Sequence, residues 1–542
     1  MKKKTSSQKG ITRRDFLKRT AKGATVTSIS LGFPMIAKNV FGRPTKQVLV
    51  TAWDASGTAG WDFHKTTMKT QDKGPADSCY EGLVAWDRRK ADLMMLMPGL
   101  AEDWDVSGGG LVWTFKLREG VRWHHNYGVD WGEFTSKDCE FSFDRGRKFK
   151  YKKYFDFIES YQAIDKYTIK VTLNRQTDPN TVKGLLTNYR GGFIGCKRAI
   201  EQLGDEISLK PVGTGFMKLK KYIPNTYSEW AAHEDYWRGR PFLDSHRQMY
   251  TKDLSSREMA FQKGEAQMIQ GHLSQKWYER AAGLKDADPI VIGPGLIAVL
   301  HINTTRKPFT DIRVRKALMY AIDREALRKF IGKDITKQQI SPVPHDYLGS
   351  TKDVATYDYD PDKARKLLED AGYPKGFDTE MQISEIDDYL RPLQVIQQML
   401  KKVGIKLGLK VITHSAYHKQ IRKDVNPLVI YGCSRFPTGQ QILTQFYHSD
   451  SIVGTPTAVT NFSHYTGVDK EIDAAGLEVD VNKKIKYWQE AQKKIMSDAV
   501  AYPLYIYMQC WVKKTWVDLG YEFTSNLKYS PLLSDRTRIL PH

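Results

Sequence analysis

Apolar and polar positions alternate most cleanly between Leu111 and Leu117, where Leu111, Trp113, Phe115 and Leu117 fall on one side and Val112, Thr114 and Lys116 on the other. A period of two predicts a half-buried strand. Arg118-Glu119-Gly120 then supplies a turn before Val121-Arg122-Trp123, so the segment is expected to fold as an antiparallel hairpin. Val48 to Ala52 predicts another strand near the start of the folded region, and Tyr80 to Val84 marks a passage from helix to strand. Helical spacing is equally legible further on. Asp311 can cap a helix with Val314, Ala317, Leu318 and Ala321 on one face. Asp360-Pro361 opens a second, with Ala364, Leu367, Leu368 and Ala371 inward and Gly372 as its stop. A third, carrying Leu393, Ile396 and Leu400, runs to Val403. Gly404 ends it, and Ile405, Leu407, Leu409 and Val411 alternate as the next strand. Helix followed by strand in this way describes an α/β fold.

The chain has 542 residues, 41% of them hydrophobic, enough for two or more domains. No apolar run reaches the roughly 20 residues a membrane-spanning helix needs. The longest candidate, the Thr- and Ser-diluted stretch from Ala24 to Ala37, instead follows a basic start and Thr12-Arg13-Arg14-Asp15-Phe16-Leu17-Lys18. This matches the S/T-R-R-x-F-L-K pattern of a twin-arginine export signal, with Arg13, Arg14, Phe16 and Leu17 as its diagnostic residues. Residues 1 to 42 are therefore expected to be a signal segment, and the remainder a soluble periplasmic protein. The formal charge of +21 falls by nine with those residues, leaving about +12 scattered along the chain. No dense basic block points to nucleic acid.

The five cysteines (Cys79, Cys139, Cys196, Cys433 and Cys510) are widely spaced and odd in number, so no disulfide framework is implied. None stands before position 79, so no lipid-anchoring cysteine is expected. No G-x-S-x-G, H-E-x-x-H, C-x-x-C or P-loop is present, and Gly108-Gly109-Gly110 precedes a strand, as a hairpin turn does rather than a phosphate cradle. His124-His125 and Met94, Met95 and Met97 do not have metal-ligand spacing. Neither an enzyme nor a metal site or cofactor is expected.

Four blocks carry a family resemblance. Leu100-Ala101-Glu102-Asp103-Trp104 with the strand ending in His124 is the first, and Pro211-Val212-Gly213-Thr214-Gly215-Phe216 the second. Asp235-Tyr236-Trp237 with Gly239 and Pro241 is the third. Asn303, Pro308 to Ala317 and Ala321-Ile322-Asp323-Arg324 form the fourth. In this order they resemble the extracellular solute-binding proteins of family 5, which include the oligopeptide-, dipeptide- and nickel-binding components of ABC importers.

The resemblance covers nearly the whole chain after the signal. It implies a two-lobed periplasmic-binding-protein clamp, class II and cluster C in type, with an extra domain inserted in the first lobe. Carried over, the first lobe uses 46–85, 209–300 and 501–542, the inserted domain 86–208 and the second lobe 301–500. The implied function is capture of a small organic solute, peptide-like or acidic, and its delivery to an inner-membrane ABC permease by a monomer. A partner of a chemoreceptor is the alternative within the same fold.

Peptide-binding members hold the ligand's amino group with a second-lobe acid in a W-x-x-D-Y-x-D-P-like loop. The matching stretch here is Gly432-Cys433-Ser434-Arg435-Phe436-Pro437-Thr438-Gly439, with Arg435 in place of the acid. A guanidinium cannot accept from an ammonium and suits a carboxylate through paired hydrogen bonds, so an anionic ligand is expected. Cys433, Phe436, Trp53 and Tyr80 are the other cleft candidates, because the resemblance places them at strand ends or loops facing the cleft.

Overall fold

The structure is a computed structural model that describes residues 46–66, 68–87, 96–149, 155–177, 179–187, 191–433, 438–478, 480–521 and 530–542. The twin-arginine residues Arg13, Arg14, Phe16 and Leu17, together with Met94, Met95, Arg435 and Phe436, lie outside the described residues.

A nine-stranded mixed sheet organises the molecule. Its strands run in the order Leu428–Cys433, Ala287–Ile302, Ala501–Lys514, Met268–Gln270, Val48–Trp53, Ser245–Tyr250, Tyr227–Ala232 and Met217–Ile223, with Thr336–Gln338 added beside Ala501–Lys514. Val48–Trp53 is central and parallel to both neighbours. Its alternate side chains feed two cores: Leu49 and Trp53 join one cluster, Val50 and Ala52 another. A strand buried on both faces needs apolar residues at nearly every position, as Val48-Leu49-Val50 has.

Two strands are much longer than the others. Ala287–Ile302 pairs antiparallel with Ala501–Lys514 from Ala287 opposite Lys514 to His301 opposite Ala501. The ladder shifts register twice: near its middle it steps from Ile292 opposite Gln509 to Leu296 opposite Tyr507, and again from Ala298 opposite Tyr505 to Val299 opposite Pro503. Gly293-Pro294-Gly295 therefore bulges across from Met508, and proline, which cannot donate to a ladder, is tolerated in such a place. The bulge divides two bodies of core. One is drawn from Ile297 to Met508; the other comprises the clusters around Trp53, Trp230 and Trp511 and around Ala52, Phe261 and Trp277. This is a two-lobed α/β clamp whose lobes share a pair of continuous strands.

A third core, from Leu83 to Val212, belongs to the insertion. Its four-stranded antiparallel sheet runs Ala101–Ser107, Val112–Leu117, Thr168–Leu173 and Ile158–Asp165. Gly108-Gly109-Gly110, all at positive φ, form the turn joining the first two. The strand expected at Leu111–Leu117 is present with Trp113, Phe115 and Leu117 buried, but its hairpin partner precedes it. Val121-Arg122-Trp123 does not return along it. The Trp123 amide bonds to Gly132 O and the Phe134 amide to Val121 O, so that segment closes its own loop, with the Glu133 carboxylate on the Gly120 amide. The insertion is tied to the first lobe by a buried forked pair, Arg145 donating to both Asp62 oxygens at 2.7 and 2.6 Å.

In the second lobe the caps form as the sequence predicts. Asp311 accepts from the Arg313 amide at the start of Ile312–Tyr320, and Asp360 from the Lys363 amide at the start of Pro361–Asp370. Helix Asp387–Lys401 ends before Gly404, at φ +87°, and strand Ile405–Ile412 follows. Among the described residues that strand pairs only with Phe377–Ser384, in parallel. Ile405 and Leu407 are buried, whereas Val411 is 49% exposed: a two-stranded sheet has no neighbour to cover its far end.

Candidate functional site

In the first lobe, Trp53 closes strand Val48–Trp53 and meets Trp511 edge to face, with ring centroids 4.6 Å apart. Its indole N–H donates to Thr51 Oγ1 at 3.1 Å. Trp511 lies three residues beyond Met508, so the aromatic pair sits beside the bulge between the lobes. Buried Arg257 holds the adjoining loops, donating to the carbonyls of Gln270, Thr251 and Lys252 at 2.7 to 2.8 Å. Leu273, in the loop after Met268–Gln270, packs against cores of both lobes.

Tyr80 follows a helix that packs against Trp53. Helix Thr70–Cys79 begins beside Gly57 and Thr58, through Gln71 and Asp72, and runs back along the sheet for about 15 Å before delivering Tyr80. The Trp53 ring lies against Gly74 in the middle of that helix, and Trp53 and Tyr80 belong to the same buried cluster. Tyr80 packs on Phe63 and Phe193 and borders a cavity of about 420 Å³ shared with Glu81, Trp237 and Arg238. Glu81 accepts from Thr214, Tyr236 and Trp237, and the Arg118 and Arg238 guanidiniums each lie 4.4 Å from the Trp237 ring. The D-Y-W segment thereby serves internal packing.

In the second lobe, the parallel pair Phe377–Ser384 and Ile405–Ile412 ends on one edge, and two helices start there, Asp387–Lys401 and His414–Gln420. The carboxyl ends of parallel strands are where α/β folds collect ligand-facing groups. Ser384 Oγ lies 2.9 Å from His414 Nδ1 and accepts from the Ile386 amide. His414 and His418, one helical turn apart, bring their Nε2 atoms to 3.0 Å. Tyr389 and Tyr417 pack against these rings, as does Tyr431 from the edge strand Leu428–Cys433. Arg422 donates to His418 O at 2.6 Å and to the Tyr431 hydroxyl at 3.3 Å. Desolvation lowers both histidine pKa values, that of His418 to about 4, where His414 and Arg422 also act. Both rings are therefore neutral at pH 7.

Cys433 ends its strand opposite Ile297, one residue past Leu296, so the described chain stops next to the bulge. It rejoins at buried Thr438, ahead of helix Gly439–Tyr447. Trp53 and Cys433 therefore flank the same junction from the two lobes.

The sequence reading missed Ser384, Tyr389, His414, His418 and Tyr431. A usable signal was there: two histidines four apart immediately after an alternating strand fall on one helix face at the strand's carboxyl end. Among the described residues no three His, Cys, Asp or Glu side chains gather as a metal cluster. His124 is fully buried and bonded to backbone.

Two lobes joined by a bulged pair of long strands, with aromatic and imidazole groups on either side of the junction, define a solute-binding clamp. The family described as bacterial extracellular solute-binding proteins, family 5 (middle), matches residues 95–454, and the chain belongs to it. The glutathione-binding protein GsiB of Pectobacterium atrosepticum is 30% identical over 441 residues, 78% of this chain and 82% of that protein. The dipeptide-binding protein of Escherichia coli K12 is 26% identical over 509 residues, 87% and 92% of the two chains. Among solved structures, MoaA from A. tumefaciens R10 in complex with mannopinic acid is 34% identical, with a TM-score of 0.77 over 92% of this chain and 100% of that one.

Proposed function

We propose that this chain is the substrate-capturing component of an ABC importer, exported by the twin-arginine route and working as a free periplasmic monomer. Its cargo is a small organic solute with an acidic group. The observation that carries the capture reading is the bulge at Gly293–Gly295 opposite Met508, because a break in two shared strands lets the lobes close as bodies around whatever bridges them. On this reading the first lobe comprises 46–85, 209–295 and 508–542 with 86–208 inserted, and the second lobe 296–507. Placing the division at the bulge, rather than at 300/301 and 500/501, follows the larger of the two breaks in the ladder.

Two observations support an acidic cargo. Arg435 stands where peptide-binding relatives are expected to carry an acid, and MoaA, similar over nearly all of both chains, holds mannopinic acid. Trp53 and Phe436 would flank the solute, with Cys433 at the junction. Native mass spectrometry of the protein taken from its own periplasm tests the reading. An acidic solute without a free amine supports it, and its affinity should fall by about tenfold or more in Arg435→Asp, the loss of a charge-assisted hydrogen bond. A peptide with a free amine, held equally well by Arg435→Asp, sinks the acidic assignment.

A further inference from the structure

The two imidazoles on the second lobe do more than pack. We propose that His414 and His418 form a two-donor chelating site for a late first-row divalent cation of tetragonal preference, copper(II) above all. The inference concerns the cation alone and stands apart from the identity of the solute.

The argument starts from the helix. Residues four apart lie on one face, and here the two Nε2 atoms converge to 3.0 Å. A cation held about 2.05 Å from both nitrogens would then subtend an angle of roughly 95°. That is near the right angle between adjacent ligands of a square-planar or tetragonal ion and well short of the tetrahedral angle zinc prefers. The other nitrogen of His414 is already engaged, since Ser384 Oγ faces Nδ1 at 2.9 Å and is itself fixed by the Ile386 amide. An outer hydrogen bond of this kind orients a ligating histidine.

Accessibility and charge agree with the geometry. Both rings are partly exposed at the strand-end face. Glu385 places a negative charge near His414. Arg422, the cation near His418, is held by the His418 carbonyl and the Tyr431 hydroxyl. The remaining coordination positions fall to water or to donors of an incoming solute.

The experiment uses the whole chain without a tag, stripped with chelator and titrated with copper(II), and followed by calorimetry and electron paramagnetic resonance. One equivalent is expected, with superhyperfine splitting from two imidazole nitrogens. His414→Ala and His418→Ala should each weaken binding by at least about tenfold, and Ser384→Ala by about tenfold. His418→Gln, which keeps a polar side chain of similar reach, should lose the two-nitrogen signal while the circular dichroism melt stays unchanged; His125→Ala, at an exposed histidine elsewhere, should leave both intact. A spectrum unchanged in the His414→Ala/His418→Ala double variant overturns the proposal, as does a wild-type chain without a two-nitrogen signal. Neither result decides whether the chain captures a solute.

Discussion

The two lobes each hold a pair of histidine rings in nearly the same mutual pose. His124 and His233 in the first lobe lie with centroids 4.8 Å apart at 87°, and His414 and His418 in the second at 4.4 Å and 87°. Their surroundings differ completely. His124 Nε2 and His233 Nδ1 both reach the Gly215 carbonyl, at 2.8 and 3.0 Å, and His124 Nδ1 accepts from the Gly213 amide. That fixes one neutral tautomer for His124 and pins the Pro211–Phe216 turn, whose glycines leave no room for a Cβ against Cys79 and Ser78. In the second lobe the ring nitrogens turn to each other and to a serine, at an accessible strand end. The pose of two rings therefore does not distinguish a scaffold from a site; what occupies their nitrogens does.

The largest expected effect tests the scaffold half of this contrast. His124→Ala removes a fully buried ring and orphans the Gly213 amide, and should cost about 3 kcal/mol of stability. His418→Ala, on a partly exposed helix, should cost less than about 1 kcal/mol. Urea unfolding of the two variants settles it, and equal losses would erase the distinction.

Per ring, the pH response comes next in size. Burial lowers the pKa values of His124 and His233, and pushes those of His64, His246 and His301 to about 3. The unfolded chain takes up protons near pH 6.5 that the folded one refuses. These groups therefore contribute their full stability above pH 6.5 and lose it as pH falls below, at up to roughly 1.4 kcal/mol per pH unit for each fully protected ring. His418 adds a weaker slope between pH 6.5 and about 4, damped by its exposure to solvent. Unfolding midpoints measured at pH 7.5 and 5.0 should differ, and His124→Gln should flatten the slope more than His418→Gln. The reverse order would mean that the first-lobe pair is reached by protons after all.

Local features were the legible ones. The caps at Asp311 and Asp360, the stop at Gly404 and the glycine turn at 108–110 each depend on a few neighbouring residues, and each forms as expected. The four motif blocks announced the family, because turns and packed aromatics such as Trp237 are needed wherever this frame is built. Long-range pairing was not legible. Nothing local to Val121–Trp123 says that its backbone will bond to 132–134, and nothing within Ala287–Ile302 says that a strand 200 residues later will run beside it. The surroundings of Tyr80 were not legible for the same reason: its packing on Phe63 and Phe193 depends on the direction of the helix before it. His414 and His418 went unread because a four-residue spacing of histidines has meaning only once the helix is known to start at a strand end.

The smallest effect carries the contrast into binding. A single hydrogen bond from a partly exposed imidazole to a solute is worth about 1 to 1.5 kcal/mol, so His418→Ala should weaken capture of the solute retained by the native protein by roughly tenfold. His124→Gln, where it folds, should leave that affinity unchanged, since its ring is spent on the Gly215 carbonyl. Trp53→Ala supplies the opposing wall, and closure can be followed through the fluorescence of Trp511 beside it. If capture survives His418→Ala intact but is abolished by Trp53→Ala, the solute rests on the first lobe, and the second-lobe histidines serve the cation without touching the cargo.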